Sequence, residues 1–282
     1  MLNLSVMAQA IDFIEDHLRE DIKISDIAQA VTYPMFYFCR IFNQVTHHTP
    51  YDYLMRRRVA ESARELLQTD KKIIDIAGDY QFNSPETFSR AFKRVFGMQP
   101  NQWRKQGSLD RWRIMPRLTL AHLEQIAKGT YLKPVLVERE ALQLAGLVTI
   151  VKDDSTPMLD LWKWLAAEMT QTNRSTACDL YEVTYYLGDG QERGWEYMLG
   201  FPFEGDTIHM AWVVKRLPAQ KYIRFIHKGL QRDRVLTLDY AYHTWLPQSE
   251  LQLAAPLVMT QHSQGFDDLE TAESEVYLPI VA

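Results

Sequence analysis

The chain has 282 residues, 46% of them hydrophobic and 24% charged, with a net charge of −5. That length allows two packed domains. Its apolar runs stop short of the roughly 18 to 20 residues of a membrane span, and the N-terminus lacks a secretion signal's basic-then-apolar order, so no membrane partner and a cytoplasmic location are expected. Two cysteines, Cys39 and Cys178, lie far apart and outside any Cys/His ligand spacing, which argues against a disulfide framework and a structural metal site.

In chain order, the first ~105 residues read as helices joined by short turns. Met7, Ile11, Ile14 and Leu18 keep helical spacing over about 5–20. Ser25 is expected to cap a short helix over 25–31, and Tyr33-Pro34 makes a turn into a helix over 35–46 with Phe38, Ile41, Phe42 and Val45 inward. A long helix over 50–68 follows, then a short one over 72–80. Ser84-Pro85-Glu86 starts a helix that Gly97 ends, and Trp103 should pack a closing helix over 100–105. Residues 108–132 read as a linker with one helical turn near 120–126. Beyond them, strands over 135–151, a helix over 157–169 and strands over 179–187 and 194–203, divided by Gly188-Asp189-Gly190, give the order β-α-β-β. The order recurs with strands over 208–215 and 220–228, a helix over 232–245, and strands over 257–261 and 275–281.

The helical half is itself a repeat. Asp26-Ile27-Ala28 leads to Phe38-Cys39-Arg40-Ile41-Phe42 and Pro50; about 50 residues on, Asp75-Ile76-Ala77 leads to Phe88-Ser89-Arg90-Ala91-Phe92 and Pro100. Each copy reads as a helix-turn-helix, and two in tandem suit two successive major grooves of double-stranded DNA. Charge follows the repeat. Residues 1–35 carry two Lys/Arg against six Asp/Glu, residues 36–117 carry 15 against 8, and residues 118–282 carry 14 against 22. The basic segment holds Arg56-Arg57-Arg58, Lys93-Arg94, Arg104-Lys105, Arg111, Arg113 and Arg117, the footprint expected of a phosphate-contacting surface. Opposite the apolar stripes lie Phe36, Cys39 and Arg40 in one copy and Glu86, Ser89 and Arg90 in the other. Arginine suits a bidentate contact with guanine or with phosphate, or pairs with a nearby carboxylate, Glu86 can accept from cytosine or stabilise the helix dipole, and Phe36 can meet a thymine methyl or pack.

From about residue 7 to 106 the chain resembles the DNA-binding domain of the AraC/XylS family of transcription regulators. The match rests on Ile27-Ala28, Phe38-Cys39-Arg40-Ile41-Phe42, Pro50, Tyr53, Arg57, Ala60, Leu66-Leu67, Ile74-Asp75-Ile76-Ala77, Phe82, Phe88 to Lys93, Gly97 and Pro100. The resemblance implies two recognition helices in consecutive grooves, recruitment of RNA polymerase, and an activator. The DNA-binding domain comes first here, a Rob-like arrangement. Leu217 to Tyr222, Phe225, Lys228-Gly229, Trp245 to Ser249 and Glu275 to Ile280 resemble a GyrI-like effector-binding domain. That implies two βαββ modules with a small-molecule groove between them. The expected architecture is therefore multi-domain, with an all-α tandem helix-turn-helix domain over 1–107, the linker over 108–132, and an α+β domain over 133–282.

From their places in the family pattern the resemblance implies Tyr197, Trp212 and Trp245 as groove lining, an aromatic surface that suits small organic effectors, with packing in the core as the alternative for each. Cation-binding members of the GyrI-like family carry a glutamate just after the Trp-Leu-Pro segment, where this chain has Met259 or Thr260. A methionine or threonine cannot neutralise a buried cation, so a neutral or apolar effector is expected unless Glu182 or Glu196 turns into the groove. Two other readings stand beside the ligand-responsive regulator: a GyrI-like hydrolase of small electrophiles attached to a DNA-binding domain, and a ligand-independent architectural DNA binder. No nucleophile-base pair stands out, so no catalytic residue, cofactor or metal is assigned.

Overall fold

The computed structural model describes residues 3–107, 112–129, 133–151, 156–171, 178–187, 194–205, 212–263 and 273–281. Arg111, the Gly188-Asp189-Gly190 turn and residues 208–211 of an expected strand lie outside them. The chain forms two compact units: residues 1–129 with 238–248, and residues 130–237 with 249–282. Among the described residues no helix is long and apolar enough to cross a membrane.

The first unit is built from α1 (Leu4–Asp16), α2 (Ile24–Ala30), α3 (Met35–Thr46), α4 (Pro50–Gln68), α5 (Ile73–Asp79), α6 (Pro85–Phe96), α7 (Pro100–Gln106) and α8 (Leu120–Ala127). The repeat seen in sequence extends to the backbone. Tyr33 N donates to Ala28 O at 2.9 Å, and Phe82 N to Ala77 O at 2.9 Å. The two turns pass through positive φ at equivalent places, 56° at Thr32 and 61° at Gln81. The helices after them end in left-handed residues 50 positions apart, His47 at φ 60° and Gly97 at φ 73°. Glycine adopts that conformation without a Cβ penalty and histidine does not, so the second copy terminates its helix with less strain.

Phe38, Phe42, Phe88 and Phe92 are fully buried in one core with Tyr53 and Trp103. Trp103 Nε1 donates to Ala63 O at 3.0 Å, which satisfies its one polar atom inside the core. Ser84 caps α6 by accepting from Thr87 N at 3.2 Å, with Pro85 next. Ser25, expected as a cap, instead lies inside α2. Asp26 there accepts from the backbone N of Lys23 at 2.8 Å, so the carboxylate three residues into the helix satisfies the end that the serine was expected to serve. Much of the stretch expected as a linker packs in this unit too: Ile114, Met115, Leu118 and Leu123 belong to its core. Leu118 N donates to the Tyr53 hydroxyl at 3.2 Å, and Met115 O accepts from Arg57 Nη1 at 2.5 Å.

The second unit is one antiparallel sheet of β1 (Val135–Arg139), β2 (Leu142–Val151), β3 (Leu180–Tyr186), β4 (Trp195–Pro202), β5 (Val213–Leu217), β6 (Gln220–His227), β7 (Leu257–His262) and β8 (Ser274–Pro279). The helix α9 is Thr156–Gln171, and α10 is Arg234–Tyr240. Each βαββ module is present, β2-α9-β3-β4 and β6-α10-β7-β8. The strand before each module pairs with the other module, β1 with β6 and β5 with β2.

The order β1-β6-β8-β7-β3-β4-β2-β5 requires a curled sheet. β5 ends at Leu217 and β6 begins at Gln220, yet β5 stands at one edge and β6 beside the other. Two linking residues span only about 10 Å, so the edges must curl toward each other. Between β2 and β4, Gly146 pairs with Gly200. A Cβ on Gly146 would fall 2.1 Å from Leu199 O, a contact with backbone that no rotamer change relieves. Gly146→Ala is therefore expected to destabilise this unit by about 2–3 kcal/mol. Chemical denaturation of the purified variant checks this, and an unchanged midpoint would show that the two strands are not packed this closely.

Candidate functional site

On α3 and α6 the buried and outward sets separate cleanly. Phe36 is 85% exposed and Phe38 fully buried two positions on, so Phe36 has no packing role in this unit. Arg40 and Arg90 are both exposed, and neither has a carboxylate within 4.0 Å among the described residues. The Arg40 guanidinium rests 5.4 Å from the Tyr37 ring centre. Ser89 and Cys39 are half-buried beside them. Burial raises the Cys39 thiol above its ordinary range, the opposite of what a reactive cysteine needs. Glu86 is exposed, and its carboxyl is held below the ordinary range by hydrogen bonds from the Ser84 hydroxyl and its own backbone, as a helix N-terminus favours. All six residues expected at DNA thus lie on two equivalent helices, although Cys39 also packs against the core.

The basic run divides differently from the charge map. Arg57 and Arg58 are only 3% and 5% exposed. Arg57 donates to both oxygens of Glu15, from Nε at 2.7 Å and Nη2 at 2.9 Å, and Nη2 also reaches Glu61 at 2.6 Å. Burial opposes its charge, but those carboxylates outweigh the effect and raise its pKa. Arg58 donates to the carbonyls of Leu18 and Glu20. Arg56 pairs with Asp52, Arg104 with the carbonyls of Leu66 and Lys71, and Arg117 with Asp12. The expectation that this run contacts phosphate fails for Arg57 and Arg58, whose work is to tie α4 to α1 and the turn after it. Lys93, Arg94 and Lys105 remain exposed.

Residues 238–248 are held within the first unit by three histidines. His48, 2% exposed, places Nδ1 3.0 Å from Asp52 and Nε2 3.1 Å from the Thr244 hydroxyl. His47 Nδ1 lies 2.9 Å from the Tyr240 hydroxyl, and His122 Nε2 lies 3.2 Å from Asp239. Trp245 belongs to this segment, in the π-helical turn Ala241–Trp245. It is therefore grouped with the helical unit, apart from the other expected groove residues.

In the second unit strand register and packing separate the remaining three. Tyr197 aligns with Thr184 and Met198 with Val183, while Met259 aligns with Val183 and Thr260 with Glu182. Directly opposite residues share a face. Tyr197, Glu182 and Thr260 consequently occupy one face, and Met259, Val183 and Met198 the other. Tyr197 and Trp212 pack with Leu161, Leu165 and Met169 of α9, so the face with Tyr197 is covered by that helix. Trp162 Nε1 donates to the Tyr197 hydroxyl at 3.0 Å, and Trp212 stacks edge-on against Phe201. Tyr197 and Trp212 are thus core residues under α9, and Met259 sits on the opposite, inner face of the curl.

Neither acid considered as a substitute is free on that inner face. Glu182 is 3% exposed on the helix-covered side. It accepts from Arg234 Nη1 and Nη2 at 2.6 and 2.7 Å, from Gln231 at 2.9 Å, and lies 2.7 Å from His262 Nε2. Burial opposes its ionisation, but Arg234 and His262 reverse that and hold its carboxyl well below the ordinary range. Glu196 pairs with Lys215. The inner face also carries residues not foreseen: Arg139, Tyr181, Gln261 and Tyr277, joined by hydrogen bonds across four strands. The signal for them is parity with Met259 along each strand, readable only once register is known.

Two family models match the chain. One, described as a helix-turn-helix domain, covers residues 27–106; the other, described as an integron-associated effector binding protein, covers residues 135–280, just over half of the chain. YbfP of Bacillus subtilis, described as an uncharacterized HTH-type transcriptional regulator, is 42% identical over 96 residues, 34% of this chain and 32% of that protein. The regulatory protein SoxS of Escherichia coli is 36% identical over 104 residues, 37% of this chain and 97% of SoxS. The transcriptional regulator Rob of Salmonella typhimurium is 34% identical over 108 residues, 38% of this chain and 37% of Rob. The chain thus spans about a third of YbfP and of Rob and nearly all of SoxS. With its tandem helix-turn-helix unit followed by a curled effector-binding sheet, the chain belongs to the AraC/XylS family of DNA-binding transcription regulators.

Proposed function

We propose that this regulator reads double-stranded DNA by setting α3 and α6 in two successive major grooves and that a small organic effector controls it in the cytoplasm. The observation that carries the first part is the pair Arg40 and Arg90, exposed at equivalent places and, among the described residues, with no carboxylate within 4.0 Å, Glu86 acting on Arg90 only at longer range. Arginines committed inside the protein look different, as Arg57 and Arg58 demonstrate. Phe36, Cys39, Glu86 and Ser89 complete the two contact faces, with Phe36 poised for a thymine methyl. Once bound, the protein recruits RNA polymerase as an activator.

The effector part rests on the match of residues 135–280 to an effector-binding family. Met259 on the inner face, with Glu182 and Glu196 both committed elsewhere, supports an effector that is not a cation. The test is electrophoretic mobility shift on genomic fragments selected by the purified full chain, followed by in vitro transcription. Selection of a consensus with two half-sites and stimulation of transcription are the expected results; binding without sequence preference would sink the reading.

A further inference from the structure

The inner face of the curled sheet carries two ion pairs, Asp179, which accepts from Gln261 Nε2 at 2.8 Å, and Arg139. Arg224 pairs with Glu275 at 2.9 Å, and Lys215 with Glu196. Arg139 has no carboxylate within 4.0 Å among the described residues. Its Nη1 donates to Gln261 Oε1 at 2.8 Å and its Nη2 to the Tyr181 hydroxyl at 3.1 Å, both neutral acceptors. The guanidinium lies 4.6 Å from the ring centre of Tyr277 and 5.6 Å from that of Tyr181. β1 is an edge strand, and Gln261 and Tyr181 belong to the third and fourth strands along from it. The half-buried Arg139 therefore reaches across the inside of the curl, over a floor that continues through Tyr222, Val183 and Met259.

We infer that Arg139 is the recognition point for an anionic effector, an amphipathic carboxylic acid whose apolar body lies on that floor. The inference rests on the effector reading above and names its ligand class. Two of the five guanidinium N–H groups are committed, which leaves an edge for a carboxylate to accept from. Such a pair is charge-assisted and bidentate, stronger than the neutral bonds it joins. Both ring contacts can persist beside it, because the rings take the face of the guanidinium and the carboxylate takes its edge. A cation entering the same place would meet the like charge of Arg139, while the nearby acids are engaged, Asp179 by Gln261 and Glu275 by Arg224 and Tyr277.

Calorimetric titration of the full chain at pH 7 with 2-naphthylacetate, 2-naphthaleneethanol and 2-naphthylethylammonium, three probes with one ring system, tests this. The acetate is expected to bind tightest, by about ten-fold over the alcohol, and the ammonium weakest. Arg139→Gln should bring the acetate down to the level of the alcohol and leave the alcohol unchanged, while Arg139→Lys, which keeps charge but loses the fork, should fall between. Thermal melts of both variants establish that they are folded. An order led by the ammonium, or an acetate preference that survives in Arg139→Gln, overturns the anion assignment and leaves the effector reading standing. Failure of all three probes to bind the parent chain overturns both.

Discussion

Glu182→Gln is expected to destabilise the second unit by about 3–5 kcal/mol, because it leaves the buried Arg234 guanidinium without its counter-charge. The glutamine could still accept one hydrogen bond, but the loss is electrostatic. Replacing Glu182 and Arg234 together with leucine and methionine should recover most of it, since both desolvation penalties vanish with the charges. Acid should reproduce the single substitution. The Glu182 carboxyl sits well below its ordinary value of 4.5 in the folded protein. Its stabilising contribution is accordingly complete above that value and is lost as pH falls below it. Denaturant midpoints followed from pH 6 to pH 3 should decline in the parent chain and lack this component in Glu182→Gln. Equal midpoints for the two proteins at pH 7 would show that the cluster is not a buried ion pair.

Arg40→Ala and Arg90→Ala are each expected to cost about 1–3 kcal/mol in affinity for a specific site, a loss of roughly ten- to a hundred-fold, with stability unchanged. The separation of the two effects is the informative part. Each substitution should relax sequence preference within its own half-site, because the two arginines lie on different helices, α3 and α6. Arg57→Ala should behave in the opposite way and unfold the unit, since Glu15 would be left buried without a counter-charge, with only the Tyr53 hydroxyl donating to it. Affinity measured at fixed salt on operator variants, with thermal melts alongside, distinguishes the two patterns. A loss spread evenly over all sequences would reassign Arg40 and Arg90 to phosphate contact.

The helical unit was legible in the sequence because its determinants are local. Phe38 and Phe42 are four residues apart on one helix, Ser84-Pro85 and Gly97 mark the ends of another, and the repeat supplies each reading twice. What escaped were partners distant along the chain. Arg57 meets Glu15 from 42 residues away, so charge density alone overstated the exposed basic surface. Ser25 looked like a cap only because the reach of Asp26 back to Lys23 competes over the same few residues.

The sheet was harder to read for a related reason. Alternation locates a strand but not which parity faces a helix, and a one-residue shift exchanges the two faces. Tyr197, Trp212 and Met259 were grouped by their places in the family pattern, and register and packing then divided them between the α9 side and the inner side. Arg139 drew no notice beside Glu138 on a short edge strand. Its meaning arises from curvature, which brings it to Tyr181 and Gln261 across strands that no local pattern connects. Trp245 was separated by tertiary packing of residues 238–248 in the helical unit, held there by His47, His48 and His122.

Hydroxyl-radical footprinting of the full chain on a selected operator tests the central claim most directly. Two protected patches on one face of the duplex, about 10 base pairs apart, are expected, one weakened selectively by Arg40→Ala and the other by Arg90→Ala. A single patch, or two patches that respond alike to both substitutions, would contradict the reading of α3 and α6 as a pair of recognition helices.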